Sequence, residues 1–301
     1  MAEKQVYTFT NEIDEVEIIS LGAKITVLSA EGTALTAEYD NPNSKPQLCA
    51  VLCGKKLTLK EKLGLQSFFS KPAEHYTLTV ILPKKLYKQL KINTASGGVQ
   101  INDSDVTAEK LSLSSASGEI NISAFFDNVK VNTASGSITL VNPLDDKTAQ
   151  SVDISAASGN ILLENYRSER FSINSISGKT VYTGAAGTGN IHVTSGDIGV
   201  EYAQWNDDLK IGAVSGKVHI TLPKDSGAKI KFDGVSGTVK TDLNGTAGEF
   251  MNLGKGTDGE FGGENKHNIT INLVSGAITI SQKSSGDSDV QAEFVEVKPE
   301  S

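Results

Sequence analysis

Aromatic residues are scarce in this sequence, where Phe, Trp and Tyr make up only 6% of 301 residues. A hydrophobic core must therefore be built from Val, Ile, Leu and small side chains. Proline is scarce as well, with seven residues, whereas glycine reaches 29. Many turns made without proline favour short strands separated by glycine corners, which predicts an all-β protein.

The sequence has no excess of basic residues, and its formal net charge is −8. A general nucleic-acid binder needs a basic face, so we expect no nucleic acid as a partner. No apolar run approaches the ~18 residues of a membrane-spanning helix. The first residues, MAEKQVYTF, have no charged-then-apolar signal pattern, which predicts a cytoplasmic protein as the sequence stands. If a signal or anchor has been removed, the prediction becomes the cell surface.

Cysteine is limited to Cys49 and Cys53. Both side chains would lie on the same side of one strand, which is a poor geometry for a disulfide between them. A metal site would need two further ligands, and the sequence offers none nearby. We therefore interpret the pair as small buried hydrophobic residues, and we expect no metal and no cofactor.

What the sequence does contain is one repeated phrase, first seen as INTASGGVQI at residues 92–101. Its Ser-Gly pair occurs nine times at a mean spacing of about 20 residues, a period typical of solenoids. An apolar residue stands four positions before every Ser, and another stands two positions after every Gly except at Thr180. Residues two apart share one face of a strand, so each repeat predicts strand, corner, strand. Stacked coils of this kind form a parallel, β-helix-like β-solenoid.

The glycine of each pair is predicted to form the corner, because a tight reversal there needs a positive φ. We expect the preceding Ser to bond the turn backbone through its hydroxyl. A nucleophilic serine is the alternative, but nine copies cannot all be catalytic, and no copy has a fixed His nearby. The predicted structural turn residues are Gly97, Gly118, Gly136, Gly159, Gly178, Gly196, Gly216, Gly237 and Gly276.

Asn often stands three residues before the Ser of the repeat, as at Asn93, Asn132, Asn174 and Asn272. Stacked Asn ladders occur in solenoids, where they supply hydrogen bonds between coils. We therefore interpret these residues as structural.

The repeat divides the chain into predicted parts. Residues 1–90 lack it and form an N-terminal β-rich cap, which a solenoid needs because its first coil exposes interior and strand edge. Residues 91–282 form the solenoid. The last step between Ser-Gly pairs is 39 residues, and Asp258 and Glu260 would fall on apolar positions of a further coil. Residues 244–266 are therefore predicted as a long loop, and residues 283–301 as an acidic C-terminal tail.

Three features could carry chemistry. Residues 254–259 match the glycine pattern of dinucleotide folds, but no helix follows and Asp258 would repel phosphate. The same loop could hold Ca²⁺ through Asp258, Glu260 and Glu264, although it lacks the ordered spacing of a calcium loop. His192 and His219 occupy outward-facing positions of different coils. No acids align at equivalent positions of the coils, so we predict no enzyme, with a carbohydrate-active enzyme as the alternative.

Residues 84–91 (KKLYKQLK) carry four lysines and could touch an anionic surface such as lipid head groups or wall polymer. The simpler interpretation is a solvated face of the protein. The repeat itself offers a long contact surface, as solenoids generally do.

The Ser-Gly coils, the phrases Ile81-Leu82-Pro83 and Thr221-Leu222-Pro223, and the closing segment at residues 268–280 resemble one known family. This is the bacterial putative-adhesin family of β-strand-repeat proteins, a domain of unknown function. The resemblance covers residues 15–282 and implies a β-solenoid-like fold without agreed catalytic residues. It implies an envelope-associated binding or scaffold protein, whose partner could be wall polymer, a surface protein or an anionic membrane surface. An intracellular envelope-stress regulator is the alternative.

Overall fold

The computed structural model describes residues 4–41, 47–62, 76–144, 146–243, 246–251 and 257–283. In these residues all regular structure is β, with 27 strands and no helix. Accordingly, they contain no helix long and apolar enough to cross a membrane. The all-β prediction is confirmed. The predicted acidic tail lies, from residue 284 onward, outside the described residues.

Seven strands form the N-terminal part of the chain. They are β1 (Gln5–Phe9), β2 (Glu15–Ser20), β3 (Lys24–Ala30), β4 (Leu35–Asp40), β5 (Gln47–Cys53), β6 (Lys56–Lys62) and β7 (Thr77–Pro83).

Fourteen strands follow in the regular repeat, two to each coil. They are β8 (Leu86–Thr94), β9 (Val99–Ile101), β10 (Thr107–Ser117), β11 (Ile120–Ser123), β12 (Phe126–Ser135), β13 (Ile138–Val141), β14 (Ala149–Ser158), β15 (Ile161–Glu164), β16 (Ser168–Ser175), β17 (Lys179–Ala185), β18 (Thr188–Val193), β19 (Asp197–Tyr202), β20 (Leu209–Ala213) and β21 (Lys217–Leu222).

Six strands complete the C-terminal part. They are β22 (Ser226–Gly234), β23 (Thr238–Leu243), β24 (Thr246–Met251), β25 (Thr257–Gly262), β26 (Asn265–Leu273) and β27 (Ala277–Gln282).

The strands form two large, mostly parallel sheets, and each coil gives one strand to each sheet. The strand before a Ser-Gly corner belongs to sheet B, and the strand after it belongs to sheet A. Sheet A has the order β1-β4-β7-β3-β9-β11-β13-β15-β17-β19-β21-β27-β23-β24. Sheet B has the order β25-β22-β26-β20-β18-β16-β14-β12-β10-β8-β2-β6-β5. The parallel β-solenoid is confirmed.

Stacking of the coils is in register with the repeat. Val131, for example, lies between Leu113 and Ile154 of the neighbouring coils, and all three side chains are fully buried. Equivalent apolar residues thus form rows along the interior, where they exclude water from both sheets. Thr180, the exception in the repeat, is also fully buried.

The order of the coils departs from the order of the sequence at both ends. At the C-terminal end, β26 lies between β20 and β22, and β27 lies between β21 and β23. The last coil in sequence is therefore the inner one. At the N-terminal end, β2 lies between β8 and β6, and β3 lies between β9 and β7. Here the first coil in sequence is the inner one.

Antiparallel strands close each end. β4 pairs with β7, β5 pairs with β6, and β1 adds to β4. At the other end, β24 pairs with β23 and β25 pairs with β22. The prediction of a long loop at residues 244–266 is therefore wrong, since two strands lie within it. Their residues do not follow the repeat because an antiparallel strand at an edge does not continue the interior rows.

Both sheets continue across residue 90, where the sequence analysis divides cap from solenoid. β2 pairs with β8, and β3 pairs with β9. The proposed division into domains stays a prediction, but the hydrogen bonding of the two sheets does not mark it.

Eight of the nine corner glycines have φ between +113° and +154°, a region that L side chains rarely adopt. The exception is Gly97, whose φ lies outside it. Most corners are also crowded. A Cβ atom on Gly136 would lie 2.1 Å from the carbonyl oxygen of Gly118, the equivalent corner of the preceding coil. The corner glycines thus form a column in which each leaves room for the backbone of its neighbour.

Hydroxyl groups hold the corners in two ways, with different partners. At four corners the residue two positions before Ser is Thr or Ser and braces its own turn. Gly97 N donates to Thr94 Oγ1 at 3.1 Å, and Ser115 Oγ donates to Ser117 O at 2.9 Å. The Ser hydroxyl instead reaches the preceding coil, as from Ser158 Oγ to Ala134 O at 3.3 Å. The expectation that Ser braces its own turn is therefore wrong, because the hydroxyl points along the stack.

The two cysteines lie on β5, the outermost strand of sheet B. Both are free; Cys49 is half-buried and Cys53 is exposed. Their interpretation as a buried pair is wrong, because the strand turns their side chains away from the core and buries Leu48 instead.

Candidate binding groove

A groove of about 1510 Å³ runs along the outer face of sheet B. It lies where the strands of this sheet approach their Ser-Gly corners, and it crosses ten strands from β2 to β22. Nine spacings of ~4.8 Å make it roughly 43 Å long. Three positions of the repeat line it, namely those one, two and three residues before Ser.

The residues three positions before Ser form a polar row on one side of the groove. In spatial order these residues are Asn93, Ser114, Asn132, Ser155, Asn174, His192, Gly212, Asn272 and Asp233. Serines lie between the first three asparagines, so the asparagine side chains do not stack on one another as a ladder. Among the described residues, no protein hydrogen bond holds the side-chain amides of Asn93, Asn132 or Asn272, which leaves them free to bind a ligand.

The residues one position before Ser form a second, apolar row, and its two halves differ. The N-terminal half has Ala95, Ala116, Ala134 and Ala157. The C-terminal half has Ile176, Thr194, Val214, Val274 and Val235. Four of these larger side chains are 48% to 69% exposed, although burial would be favourable for each of them. The groove is therefore smooth in one half and has an apolar ridge in the other.

His192 lies in the C-terminal half of the groove, on β18. Its ring lies over Gly212 of the next coil, where an added Cβ would be 2.6 Å from Nδ1. Gly212 thus leaves the space that the imidazole occupies. As predicted, His192 and His219 lie on different coils and face outward. His219 is on sheet A, where its Nε2 is 3.3 Å from Ser281 Oγ of the neighbouring strand β27.

The groove has few groups that could catalyse proton transfer. His192 and Asp233 are its only titratable lining residues in the described part of the chain. Three coil spacings separate them, or roughly 14 Å, which is too far for an acid and a base to act on one bond. Among the residues that the structure describes, no Lys or Arg lines the groove. Its chemistry is that of amides, hydroxyls and small apolar side chains.

The basic segment at residues 84–91 does not form a free cationic patch. Lys84 Nζ lies 2.8 Å from Glu31 and 2.9 Å from Asp105. Lys91 Nζ lies 2.9 Å from Glu17. The other two lysines, Lys85 and Lys88, both contact Asp14, at 3.2 and 3.8 Å. Each lysine therefore already has a carboxylate partner, which supports the interpretation as a solvated face.

The glycine-rich segment offers no metal site in the residues described. Residues 254–256 of the dinucleotide-like motif lie outside them. Glu260 lies on β25 and contacts Lys266 at 3.0 Å and Lys229 at 3.8 Å, and hydrogen bonding to Lys266 lowers its pKa. No group of three or more His, Cys, Asp or Glu that could hold a metal ion occurs in the described ranges.

The groove lies where the repeat is most regular, on the face that the repeat offers as a contact surface. A signal was present in the small residues directly before Ser, because a row of exposed alanines leaves a depression between larger neighbours. The alanines alone do not predict a groove, because its depth depends on the arrangement of all ten strands that it crosses.

Comparisons with known proteins agree with this fold. The model of the family described as Toastrack DUF4097 matches residues 13–281. A putative adhesin from Parabacteroides distasonis is 12% identical, with 93% of this chain and 97% of that chain covered and a TM-score of 0.53. A putative adhesin from Bacteroides fragilis is also 12% identical, with 94% and 98% covered and a TM-score of 0.45.

A further solved structure from Parabacteroides distasonis, described as a putative lipid binding protein, is 14% identical. It covers 93% of this chain and 97% of its own, with a TM-score of 0.39. The comparison with curated proteins found no match. At such identities the first of the three structures indicates a shared fold and nothing about the ligand.

Proposed function

Since the chain belongs to the Toastrack DUF4097 family, we propose that it is a non-catalytic, envelope-associated binding protein that holds an extended ligand in the groove of sheet B. The observation that carries this proposal is the groove itself. It presents the same three positions of the repeat on nine strands, beside Ile19 and Ser20 of β2, over roughly 43 Å, which suits a polymer better than a compact small molecule.

The lining supports a neutral ligand with hydroxyl or amide groups, such as a glycan strand of the wall. Amides of the polar row can donate and accept hydrogen bonds at regular intervals. Alanine and valine side chains of the apolar row can cover the C–H faces of a sugar. An anionic membrane surface is less well supported. No Lys or Arg of the described ranges lines the groove, and the lysines of residues 84–91 already have carboxylate partners.

The experiment is binding of the full chain to purified wall glycan and to neutral oligosaccharides of increasing length. We expect affinity to rise with length, because each added unit reaches a further coil. The variant Ala134→Arg fills the smooth half of the groove with an exposed side chain and should weaken binding by about tenfold, or ~1.4 kcal/mol. Thr139→Arg on β13 is the matched control, since it changes the opposite sheet of the same coil.

Several results would contradict the proposal. Equal loss of binding in Ala134→Arg and Thr139→Arg would place the ligand outside the groove. Binding of anionic vesicles that neither variant changes would favour a membrane contact. Turnover of the oligosaccharides would favour the carbohydrate-active enzyme. Fractionation of cells that finds the protein in the cytosol alone would favour the intracellular regulator and remove the envelope from the proposal.

A further inference from the structure

Strand β5 ends sheet B with an unusually unprotected edge. Its sequence, QLCAVLC, has no charged residue, proline or glycine, although edge strands normally carry such residues to prevent pairing with other chains. Among the strands that the structure describes, β6 is the single partner of β5. The side chain of Val51, at the centre of the strand, is 56% exposed.

The contacts of Leu48 show which backbone groups face the open edge. Leu48 N donates to Gln5 Oε1 at 3.1 Å, and Leu48 O accepts from Tyr7 Oη at 2.7 Å. Both groups therefore point away from β6. Because alternate residues of a strand direct their backbone groups to the same side, those of Ala50 and Leu52 also point away. In the described part of the chain, no hydrogen bond is made to the backbone N–H and C=O groups of Ala50 and Leu52. These four groups remain available.

We propose that this edge binds a second copy of the chain, with the two β5 strands antiparallel around a two-fold axis at Val51. Ala50 then lies opposite Leu52 of the second copy, and the four free groups of each strand bond those of the other. Cys49 lies opposite Cys53 of the second copy, and Cys53 lies opposite Cys49. This interface is independent of the groove and of the function proposed for it.

The geometry at the cysteines favours disulfides between the copies. Backbone groups of Cys49 and Cys53 face β6, so across the new interface each opposed pair is of the non-hydrogen-bonded type. Such pairs have Cα atoms about 4.5 Å apart, within the range of roughly 4.4 to 6.8 Å that a disulfide spans. Within one chain the two residues are four apart on an extended strand, or roughly 13 Å, which is too far.

Neighbouring registers do not satisfy the same groups. A register centred on Ala50 needs the backbone of Leu48, which Gln5 and Tyr7 already occupy. A register centred on Leu52 places Ala50 opposite Gly54, which lies in the turn after the strand with a φ of +59°. The arrangement centred on Val51 uses both free residues and also brings cysteine opposite cysteine.

The interface is small, since five residues of each strand take part, so we expect it to be weak until the disulfides form. Stable non-covalent interfaces bury about 1,000 Å² or more. Each disulfide forms by exchange with a disulfide oxidant such as oxidised glutathione. The two protein thiols lose two protons and two electrons, and the oxidant is reduced to two thiols. A covalent dimer is thus expected in an oxidising compartment, and a monomer in a reducing one.

The experiment treats the full chain with oxidised glutathione and measures its mass by light scattering and by gel electrophoresis without reductant. We expect a dimer that reductant returns to monomer. Cys49→Ser and Cys53→Ser alone should not form the linked dimer, because each leaves one thiol opposite a serine. An equal mixture of the two should form it through one disulfide, with on the order of tenfold more product than either variant alone, since only the mixed pair places two thiols within bonding distance.

Two further variants test the edge itself. Val51→Lys places two like charges at the axis and should abolish the dimer while the melting temperature stays near that of the wild type, because Val51 is exposed. Val6→Lys is the matched control, since Val6 is 55% exposed on β1, the edge of the other sheet, and it should still dimerise. A monomer under oxidant, or self-linking of the single-cysteine variants that equals the mixture, would overturn the proposal.

Discussion

The two ends of the solenoid are closed by the same device, yet they present different outer edges. At both ends an antiparallel strand in each sheet covers an outer coil. The N-terminal edges, β1 and β5, have the uncharged sequences QVYTF and QLCAVLC. The C-terminal edges, β24 and β25, have the sequences TAGEFM and TDGEFG, which contain glycine and acidic residues.

This difference shows that two features of an end are independent: the antiparallel strands that cover the outer coil, and the charges that prevent pairing with other chains. Antiparallel strands complete the last coil at both ends. Charges on an edge strand discourage further pairing, and only the C-terminal end has them. The N-terminal end therefore remains suited to a partner, and the cysteines lie at that end alone.

The largest effect on stability should come from replacing a corner glycine in a coil that lies between the two ends of the solenoid. Gly136→Val places its Cβ 2.1 Å from the oxygen of Gly118 at a φ of +127°, so we expect a loss of about 3 kcal/mol in the free energy of unfolding. Gly237→Val in the outermost C-terminal coil first meets a flexible side chain, Leu273, at 2.6 Å. It should cost about 1 kcal/mol. Denaturant unfolding of both variants measures the difference, and equal losses would remove the distinction between interior and end corners.

The next effect tests whether charge protects the C-terminal edge. Asp258→Asn with Glu260→Gln removes two exposed charges from β25 while keeping side-chain size. We expect concentration-dependent association of the double variant, because an uncharged edge accepts other strands. Sedimentation under reducing conditions, in a Val51→Lys background that blocks the other end, measures it. A double variant that stays monomeric would show that these charges do not distinguish the two ends.

A smaller effect concerns a buried carboxyl group of the N-terminal end. Glu61 is 3% exposed, and burial raises its pKa although Leu21 N donates to it at 2.5 Å. The folded state thus keeps a proton that the unfolded state releases, so stability falls as pH rises above about 4.5 through the folded pKa. In Glu61→Gln the free energy of unfolding should decrease less over the same pH range. Unfolding free energies at several pH values between 4.5 and 7 test it, and parallel curves for both proteins would contradict it.

The smallest effect has the opposite sign and comes from the same end. Hydrogen bonds from Lys56 and Lys91 lower the pKa of Glu17, which links β2 to both neighbouring strands at 2.7 and 2.9 Å. Its contribution is present above the unfolded pKa and lost as pH falls through the folded one. Glu17→Gln should cost no more than about 1 kcal/mol at pH 7 and nothing at low pH. A loss that is independent of pH would point to packing instead of charge.

The solenoid could be predicted from the sequence because every coil must match its neighbours. The rows through Ile92, Val131 and Ile154 require apolar residues at a fixed distance from each corner, so the pattern repeats. The repeat does not predict strands β24 and β25, because an edge strand has no outer neighbour to match. The sequence also does not predict that the last coil in sequence lies inside the one before it. Ser236-Gly237 and Ser275-Gly276 follow the same pattern, so either coil fits either place.

The sequence indicates some of the residues that line the groove, but it does not predict the groove itself. Asn93 and Asn132 stand out in the sequence, and we interpreted them as a ladder because ladders are common in solenoids. Ser114 lies between them in the stack and separates the amides. Which residue faces solvent follows from alternation along the strand, whereas the depth of the surface depends on the arrangement of many strands at once.

The inner position of the last coil also has a consequence for synthesis on the ribosome. β22 and β23 emerge before β26 and β27, and at that moment the open edge of β20 and β21 is the place that β26 and β27 will later occupy. Both coils have the same corner pattern, so the earlier one can pair there first. The earlier coil must then leave this edge before β26 and β27 can pair there, which makes residues 265–282 a source of slow folding phases.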